Sequence, residues 1–296
     1  MNTFVETLKY FCIITVELIV LFLVTSTIVN ISLMYLPKEK IKKWMSSKGI
    51  FGNFIGAIFG ALTPFCACST IPMTLGFLDM GIPFGVTMSF LIASPLMNPI
   101  ILSILIALMG FKSALIYFLV TLVASIIFGI ALEKMGGEKL IKKVKVKSDN
   151  QLNLIIPKNF KDKLKVSFLK AWSDFKGVVI YLLIGVGVGS AIYGYLPQEF
   201  VLKFAGQDNL LAIPIAAVIG IPLYIRAETA IPIGVALMQK GMSVGAVIAL
   251  IIGGAGMAIP EMIMLASIFK KKLVLLIVIV IFLTAVIGGI TFNLIL

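Results

Sequence analysis

Four runs of this chain, 10–36, 113–132, 177–196 and 273–295, are almost free of charge, and each is about 20 or more residues long, enough to cross a bilayer as a helix. At about 1.5 Å per residue such a run matches the ~30 Å hydrocarbon core. Lipid offers no partner to backbone N–H and C=O groups, so only helices and closed barrels span it. Runs of this length imply helices. Of the 296 residues 60% are hydrophobic and 13% charged, and mean hydropathy is +1.13. That leaves too little polar surface to cover a soluble globule. The first run is too long for a signal-peptide core, carries Glu17 and has no small-residue cleavage site behind it, so it reads as a retained helix.

One apolar region is interrupted by Thr63-Pro64-Phe65-Cys66-Ala67-Cys68-Ser69-Thr70-Ile71-Pro72, and a counterpart, Leu223-Tyr224-Ile225-Arg226-Ala227-Glu228-Thr229-Ala230-Ile231-Pro232, follows 160 residues later. Around them Gly60, Ile71, Pro72, Gly81 and Gly85 recur as Gly220, Ile231, Pro232, Gly241 and Gly245. The chain therefore reads as two related halves. Proline removes a helical hydrogen bond and displaces the carbonyl four residues earlier. Pro64 and Pro72 thus predict non-helical backbone between them. At membrane depth such backbone survives only when packed in protein or lining a wet cavity, and a plain kinked helix explains one copy better than two.

Charge orders the halves. The formal net charge is +12, concentrated in 133–176 (+7), 37–48 (+4) and 270–272 (+3). Short Lys-rich loops of a membrane protein lie on the cytoplasmic side, which argues against nucleic-acid binding. The run 10–36 then ends inside while 177–196 starts inside, and 113–132 ends inside while 273–295 starts there. The halves are predicted to be inverted. An odd number of crossings is required in 49–109 and in 209–269, and three segments (49–67, 69–80 and 83–109) satisfy it. The predicted fold is an all-α polytopic membrane protein of two inverted-topology repeats. Each has about five helical segments, and discontinuous helices meet at the midplane, as in secondary transporters. The divisions are a first repeat at 1–132, a basic cytoplasmic linker at 133–176 and a second repeat at 177–296. In the linker Phe160, Leu164, Phe168 and Trp172 recur at helical spacing among lysines, predicting an interfacial helix on an anionic leaflet.

Within the first break, Cys66 and Cys68 would point the same way on extended backbone, and prolines favour such backbone before them. A same-side thiol pair suits a soft metal or metalloid, with Thr63, Ser69 and Thr70 as polar neighbours. Cys12, alone in an apolar run, reads as a small hydrophobe. Arg226 and Glu228, beside Thr229, are costly charges in lipid unless paired or hydrated. They can neutralise each other, or Arg226 can hold an anionic group while Glu228 couples to protons. Asn98 before Pro99 and Glu261 after Pro260 mark a second polar break in each half. Glu17 is a partner for Arg226 or faces a cavity, and Asp79 reads as a loop residue. The chain has no histidine, so a His-based zinc site, triad or proton relay is excluded. The three cysteines give no disulfide framework, and no cofactor is implied.

The run Thr63-Pro64-Phe65-Cys66-Ala67-Cys68-Ser69 with Ile71-Pro72, then Ser94-Pro95-Leu96-Met97-Asn98-Pro99 and Glu228-Thr229-Ala230-Ile231-Pro232, resembles the permease family that includes the ArsP organoarsenical efflux permeases and YraQ-type proteins. The resemblance spans nearly the whole chain. It implies a multi-pass permease of the cell membrane, in some branches exporting trivalent organoarsenicals through paired cysteines, and so nominates Cys66 and Cys68. Family members carry Ser between those cysteines where this chain has Ala67. The expected function is export of a small thiophilic solute by alternating access. Alternatives are a permease for another small anion or soft metal centred on Arg226, or a membrane thiol-redox protein cycling Cys66 and Cys68. Expected partners are the lipid bilayer, a small-molecule or metalloid substrate and anionic lipid at the linker. A homo-oligomer is compatible with the sequence.

Overall fold

The computed structural model describes residues 2–35, 42, 44, 45, 47, 49–63, 67–142, 159–195, 211–223, 227–239, 241–256 and 258–295. Its first helices are α1 (Asn2–Tyr35), α2 (Ile50–Leu62), α3 (Ala67–Asp79), α4 (Phe84–Leu96) and α5 (Pro99–Lys134), followed by a 3-10 turn at Gly137–Leu140. Then come α6 (Phe160–Tyr195), α7 (Ala212–Leu223), α8 (Ala227–Gln239), α9 (Val244–Gly256), α10 (Ile259–Ile268) and α11 (Lys271–Ile295). The protein is nearly all helical. Among the described residues α1, α5 and α11 carry runs long and apolar enough to cross a membrane, and α9 with α10 makes a further span bent by 43°. The 13-residue helices α2, α3 and α4 are each about 20 Å long. None of them crosses alone.

Contacts give their directions. Gly52 lies beside Val86 and Gly60 beside Phe90 to Ser94, so α2 and α4 run in parallel. The Phe77 ring meets Phe90 at 4.9 Å and Thr70 meets Ser94, so α3 runs back against α4. At one end Gly52 lies by Ser47, Gly81 by Lys42 and Gly85 by Glu133. Helices α2 and α3 therefore form a hairpin whose outer ends lie at the same end of the molecule, and α4, running parallel to α2, leads at once into α5.

The hairpin's exit is set by glycine. At Gly81 (φ 75) the N–H of Gly81 donates to Leu78 O and that of Ile82 to Phe77 O, each at 3.0 Å. This pair of bonds needs a left-handed residue after the helix. Gly241 (φ 100) closes α8 in the same way through Met238 and Leu237.

The correspondence extends over whole helices. α3 and α8 begin and end 160 residues apart, as do α4 and α9. Gly110, non-helical inside α5 at φ 85 and ψ 163, matches the interruption between α10 and α11. α2 on α4, α3 on α4 and α4 on α5 have their counterparts in α7 on α9, α8 on α9 and α9 on α11. Between halves α1 packs on α6, with the Phe22 and Phe175 rings 5.7 Å apart and Phe11 beside Gly187. Across α5 and α11 the Lys112 Nζ donates to Ile295 O at 3.2 Å, and Val120 lies beside Gly288. Both pairs run antiparallel.

The basic segments gather at one end. Ile141 bridges Phe269, the Lys142 N–H donates to Ile268 O at 2.9 Å, and the Lys270 N–H donates to Leu140 O at 2.8 Å. Lys142 Nζ also donates to Ala266 O, where a cation suits the carbonyls that end α10. The amphipathic stretch expected as a separate interfacial helix is instead the start of the continuous α6. Nothing between Phe160 and Lys176 breaks a helix. One face, Ser167, Ala171 and Phe175, is buried in the protein, while Leu164, Phe168 and Trp172 point outward.

Close approach of helices depends on Gly60 and Gly220. A Cβ on Gly60 would lie 2.9 Å from Phe90 O, and one on Gly220 would lie 2.6 Å from Leu250 O. Gly220→Ala is expected to cost about 1–3 kcal/mol, the usual range for overpacking, and to lower the melting temperature of the purified protein. Gly76→Ala, with nothing within 4 Å of the added carbon, should leave that temperature unchanged or raise it.

Candidate functional site

The tips of α4 and α9 meet in the middle of the molecule, where a methyl of Leu96 lies 3.3 Å from the point at which a Gly256 side chain would begin. Each tip is followed by a break. Asn98 (φ −53, ψ 134) and Ala258 (φ −55, ψ 140) turn the chain alike into α5 and α10. Asn98 is 7% exposed, and its Oδ1 accepts from the Ile100 N–H at 2.9 Å. That is an N-cap, satisfying a donor that the helix itself cannot. Pro99 occupies the first turn, where its missing N–H costs nothing. In α10 the first turn carries Glu261, half-buried, a charge suited to the positive end of a helix dipole.

Near the same contact, Gly60 of α2 and Thr70 of α3 lie against the end of α4. Thr63 ends α2 with extended backbone (φ −96, ψ 120). Its N–H and its Oγ1 both donate to Gly60 O, at 3.2 Å and 2.9 Å. Pro64, Phe65 and Cys66 lie outside the described residues, as does Arg226. The extended backbone expected across the cysteine pair does not reach Cys68, because α3 begins at Ala67. Nor does Pro72 end a break, since it stands inside α3. It falls early in the helix, where its cost is one bond, the one that would run to the Cys68 carbonyl. Pro232, inside α8, does the same for the carbonyl of Glu228.

Cys68 and Ser69 stand in the first turn of α3, and Glu228 and Thr229 in the first turn of α8; their side chains are outside what the structure describes. Thr70 is fully buried and its hydroxyl lies 3.2 Å from that of Ser94. The helix carrying Cys68 to Thr70 packs on α10, which carries Glu261, and the helix carrying Glu228 and Thr229 packs on α5, which Asn98 caps. A helix of each half that carries predicted residues thus packs on a helix of the other half. Glu17 and Cys12 sit instead on the exposed side of α1, beside Ile13 and Val16. Asp79 is the exposed last residue of α3.

A polar cluster escaped the sequence reading. Asn53, Ser89 and Ser125, from α2, α4 and α5, are all wholly buried. Ser89 Oγ is 2.7 Å from Asn53 Oδ1 and 3.0 Å from Ser125 O, and Asn53 Nδ2 donates to Gly49 O at 2.8 Å. Gly129 leaves the space in which these groups meet. Their counterparts 160 residues on are Ile213, Ala249 and Ala285, so the first half is joined by hydrogen bonds where the second is joined by hydrocarbon. The available signal was Asn53, a lone amide in the apolar run of α2.

Over residues 2–294 the chain matches the family described as predicted permease, ArsP_1. The chain belongs to the ArsP_1 predicted permeases. Among relatives, the UPF0718 protein YcgR of Bacillus subtilis is 24% identical over 283 residues, covering 94% of this chain and 93% of its own. A Streptococcus mutans protein named as a subunit of a two-component membrane permease complex is 26% identical over 243 residues, 81% of this chain and 76% of its own. The UPF0718 protein YraQ of Escherichia coli is 21% identical over 243 residues, 80% of this chain and 66% of its own. No solved structure matches the chain. The ArsP_1 assignment makes it a membrane transporter rather than an enzyme, built of apolar helices.

For this ArsP_1 chain the buried cluster yields a direct test. Asn53→Leu takes from the buried Ser89 hydroxyl its shorter partner, leaving it the Ser125 carbonyl, and should cost about 0.5–1.5 kcal/mol, whereas replacing polar partners together by apolar groups can be nearly neutral. The triple change Asn53→Ile, Ser89→Ala and Ser125→Ala, which copies the second half, should therefore melt closer to the parent than Asn53→Leu alone.

Proposed function

We propose that this permease is a secondary transporter of two inverted halves whose broken helices form one solute site at the middle of the membrane. The carrying observation is the meeting of α4 and α9 tip to tip, each ending at a break, which Asn98 caps in the first half. Antiparallel packing of α1 on α6 and of α5 on α11 supports the inversion, because equivalent helices run antiparallel across a two-fold axis in the membrane plane. The end holding Lys42, Lys142 and Lys270 is the cytoplasmic one, in the cell membrane. A cysteine placed at Lys271 should react with an impermeant maleimide in inside-out vesicles and not in intact cells. The reverse pattern would invert the assignment.

The solute favoured is a trivalent organoarsenical, bound by Cys66 and Cys68. Each thiol hydrogen joins a hydroxide leaving arsenic, water departs and an As–S bond forms. Hydrolysis reverses the step on release, with Glu228 taking up and returning the coupling proton. Cys66→Ser and Cys68→Ser should each abolish arsenical resistance and vesicle uptake in protein that still elutes as a folded species. Retained transport in either variant would remove arsenic from the reading.

One feature favours a second solute class. The N-terminal ends of α3, α5, α8 and α10 all adjoin the central breaks, and helix N-termini attract anions. A small anion held by Arg226 would lose more binding with Arg226→Ala than with either cysteine change. Melting the purified protein across arsenicals, soft metals and small anions separates the two, since a ligand of the folded state alone raises its stability.

Alternating access requires one hairpin to move. The α3 hairpin is tied to α4 by Thr70 and Ser94, where the second half has Ala230 and Gly254. Helix α8 meets α9 through the apolar contact of Gly234 with Val247 and Ile251, and in this reading α8 is the sliding element. A Cβ on Gly234 would lie 3.7 Å from that of Val247, inside the range of about 3.5–4.5 Å for disulfides. Oxidising a Gly234→Cys, Val247→Cys variant should stop transport, and a reductant should restore it.

A further inference from the structure

In α6 the uncharged run begins directly after Lys176, at Gly177, and the antiparallel packing of α1 sets Phe22, inside the apolar run of α1, against Phe175. Residues 161–176 are therefore the approach of α6 to the bilayer, with Trp172 nearer the hydrocarbon and Lys165 nearer the water.

Lys161, Lys165, Phe168, Trp172 and Lys176 recur at helical spacing and share a single face. All five are exposed, Trp172 at 40%, while Ser167, Ala171 and Phe175 turn the opposite way into the protein. Lys176 starts a full turn deeper than Trp172, yet its Nζ lies 5.8 Å from the centroid of the indole. Helical side chains tilt toward the N-terminus, so this ammonium is drawn back toward the aqueous end, the behaviour of a snorkelling lysine. Lys176 is thus held at the level of the tryptophan, while Lys165, two turns nearer the N-terminus, extends toward the water.

We propose that this face of α6 is a docking surface for the headgroups of anionic phospholipids. Trp172 and Phe168 meet the acyl and glycerol region, and Lys165 and Lys176 bracket the phosphate and its net negative charge. A zwitterionic lipid offers the same acyl contact without the net charge, so the chemistry selects phosphatidylglycerol over phosphatidylcholine. The surface is distinct from the central site and stands whether the transported solute is an arsenical or an anion.

The chain has two tryptophans, so Trp44→Phe leaves Trp172 as the sole indole reporter. The full-length protein would be placed in phosphatidylcholine nanodiscs containing equal mole fractions of brominated phosphatidylglycerol or brominated phosphatidylcholine. Stronger quenching of Trp172 by the brominated phosphatidylglycerol is expected. Lys165→Gln and Lys176→Gln should each weaken that preference roughly fivefold, following the contribution of one lysine at an anionic surface. Retained quenching by brominated phosphatidylcholine in the variants would confirm that the helix is still in place. Equal quenching by both lipids in the parent would overturn the proposal, as would a preference that survives both substitutions. Absence of quenching by either lipid would assign the face to a second copy of the chain instead. Both leaflets of the disc have the same composition, so the outcome is independent of which end faces the cytoplasm.

Discussion

A helix that stops inside a membrane leaves orphan N–H and C=O groups that lipid cannot satisfy, and this protein directs its interrupted helices toward its own centre. The ends of α2 and α4 lie against each other and against the start of α3, those of α7 and α9 lie against each other, and the tips of α4 and α9 touch. The described caps show how the cost is met: Thr63 folds onto Gly60 O, Asn98 accepts from Ile100, and Pro99 has no N–H to satisfy. A centre made of helix ends is polar without many polar side chains. It can favour anions at the starting ends and protons or cations at the finishing ends, which is the electrostatic requirement of a coupled carrier.

Packing around that centre is built on small residues. Gly60 and Gly220 let α2 and α7 approach the backbones of α4 and α9 to contact distance, a membrane solution in which close fit replaces the hydrophobic drive that lipid removes. The halves then diverge in chemistry. Asn53, Ser89, Ser125, Thr70 and Ser94 fasten the first half by directed bonds; the same places in the second half are Ile213, Ala249, Ala285, Ala230 and Gly254. Directed bonds resist sliding and apolar contacts permit it.

Much of this was legible in the residues. The paired interruptions, the glycines repeated across 160 positions and the lysine clusters each carry a local signal, and the structure places the lysine segments together at one end through the Ile141–Phe269 bridge. The hairpin was not legible, because a 13-residue apolar helix has the same composition whether it crosses the membrane or turns back. That α2 runs parallel to α4 and α3 runs back against it appears only in the contacts of Gly52, Gly60 and Thr70. The helical state of Ala67 and Cys68 was hidden because proline constrains the residue before it more than those after it. The continuity of α6 was hidden by the change in composition at its middle, which looks like a boundary though no residue there stops a helix. Nothing in the sequence near Ser89 announces its bond to Asn53, 36 residues away.

The central claim is a wet polar centre that presents Cys66 and Cys68 to the transported solute. The most direct measurement is the reaction of those two thiols, in a Cys12→Ser background, with a small cationic methanethiosulfonate and with a lipid-soluble maleimide, followed by mass spectrometry of the purified protein. The account predicts modification of both by the water-soluble cation, and protection by a bound trivalent arsenical. Modification by the lipid-soluble reagent alone would place the pair against hydrocarbon and contradict it.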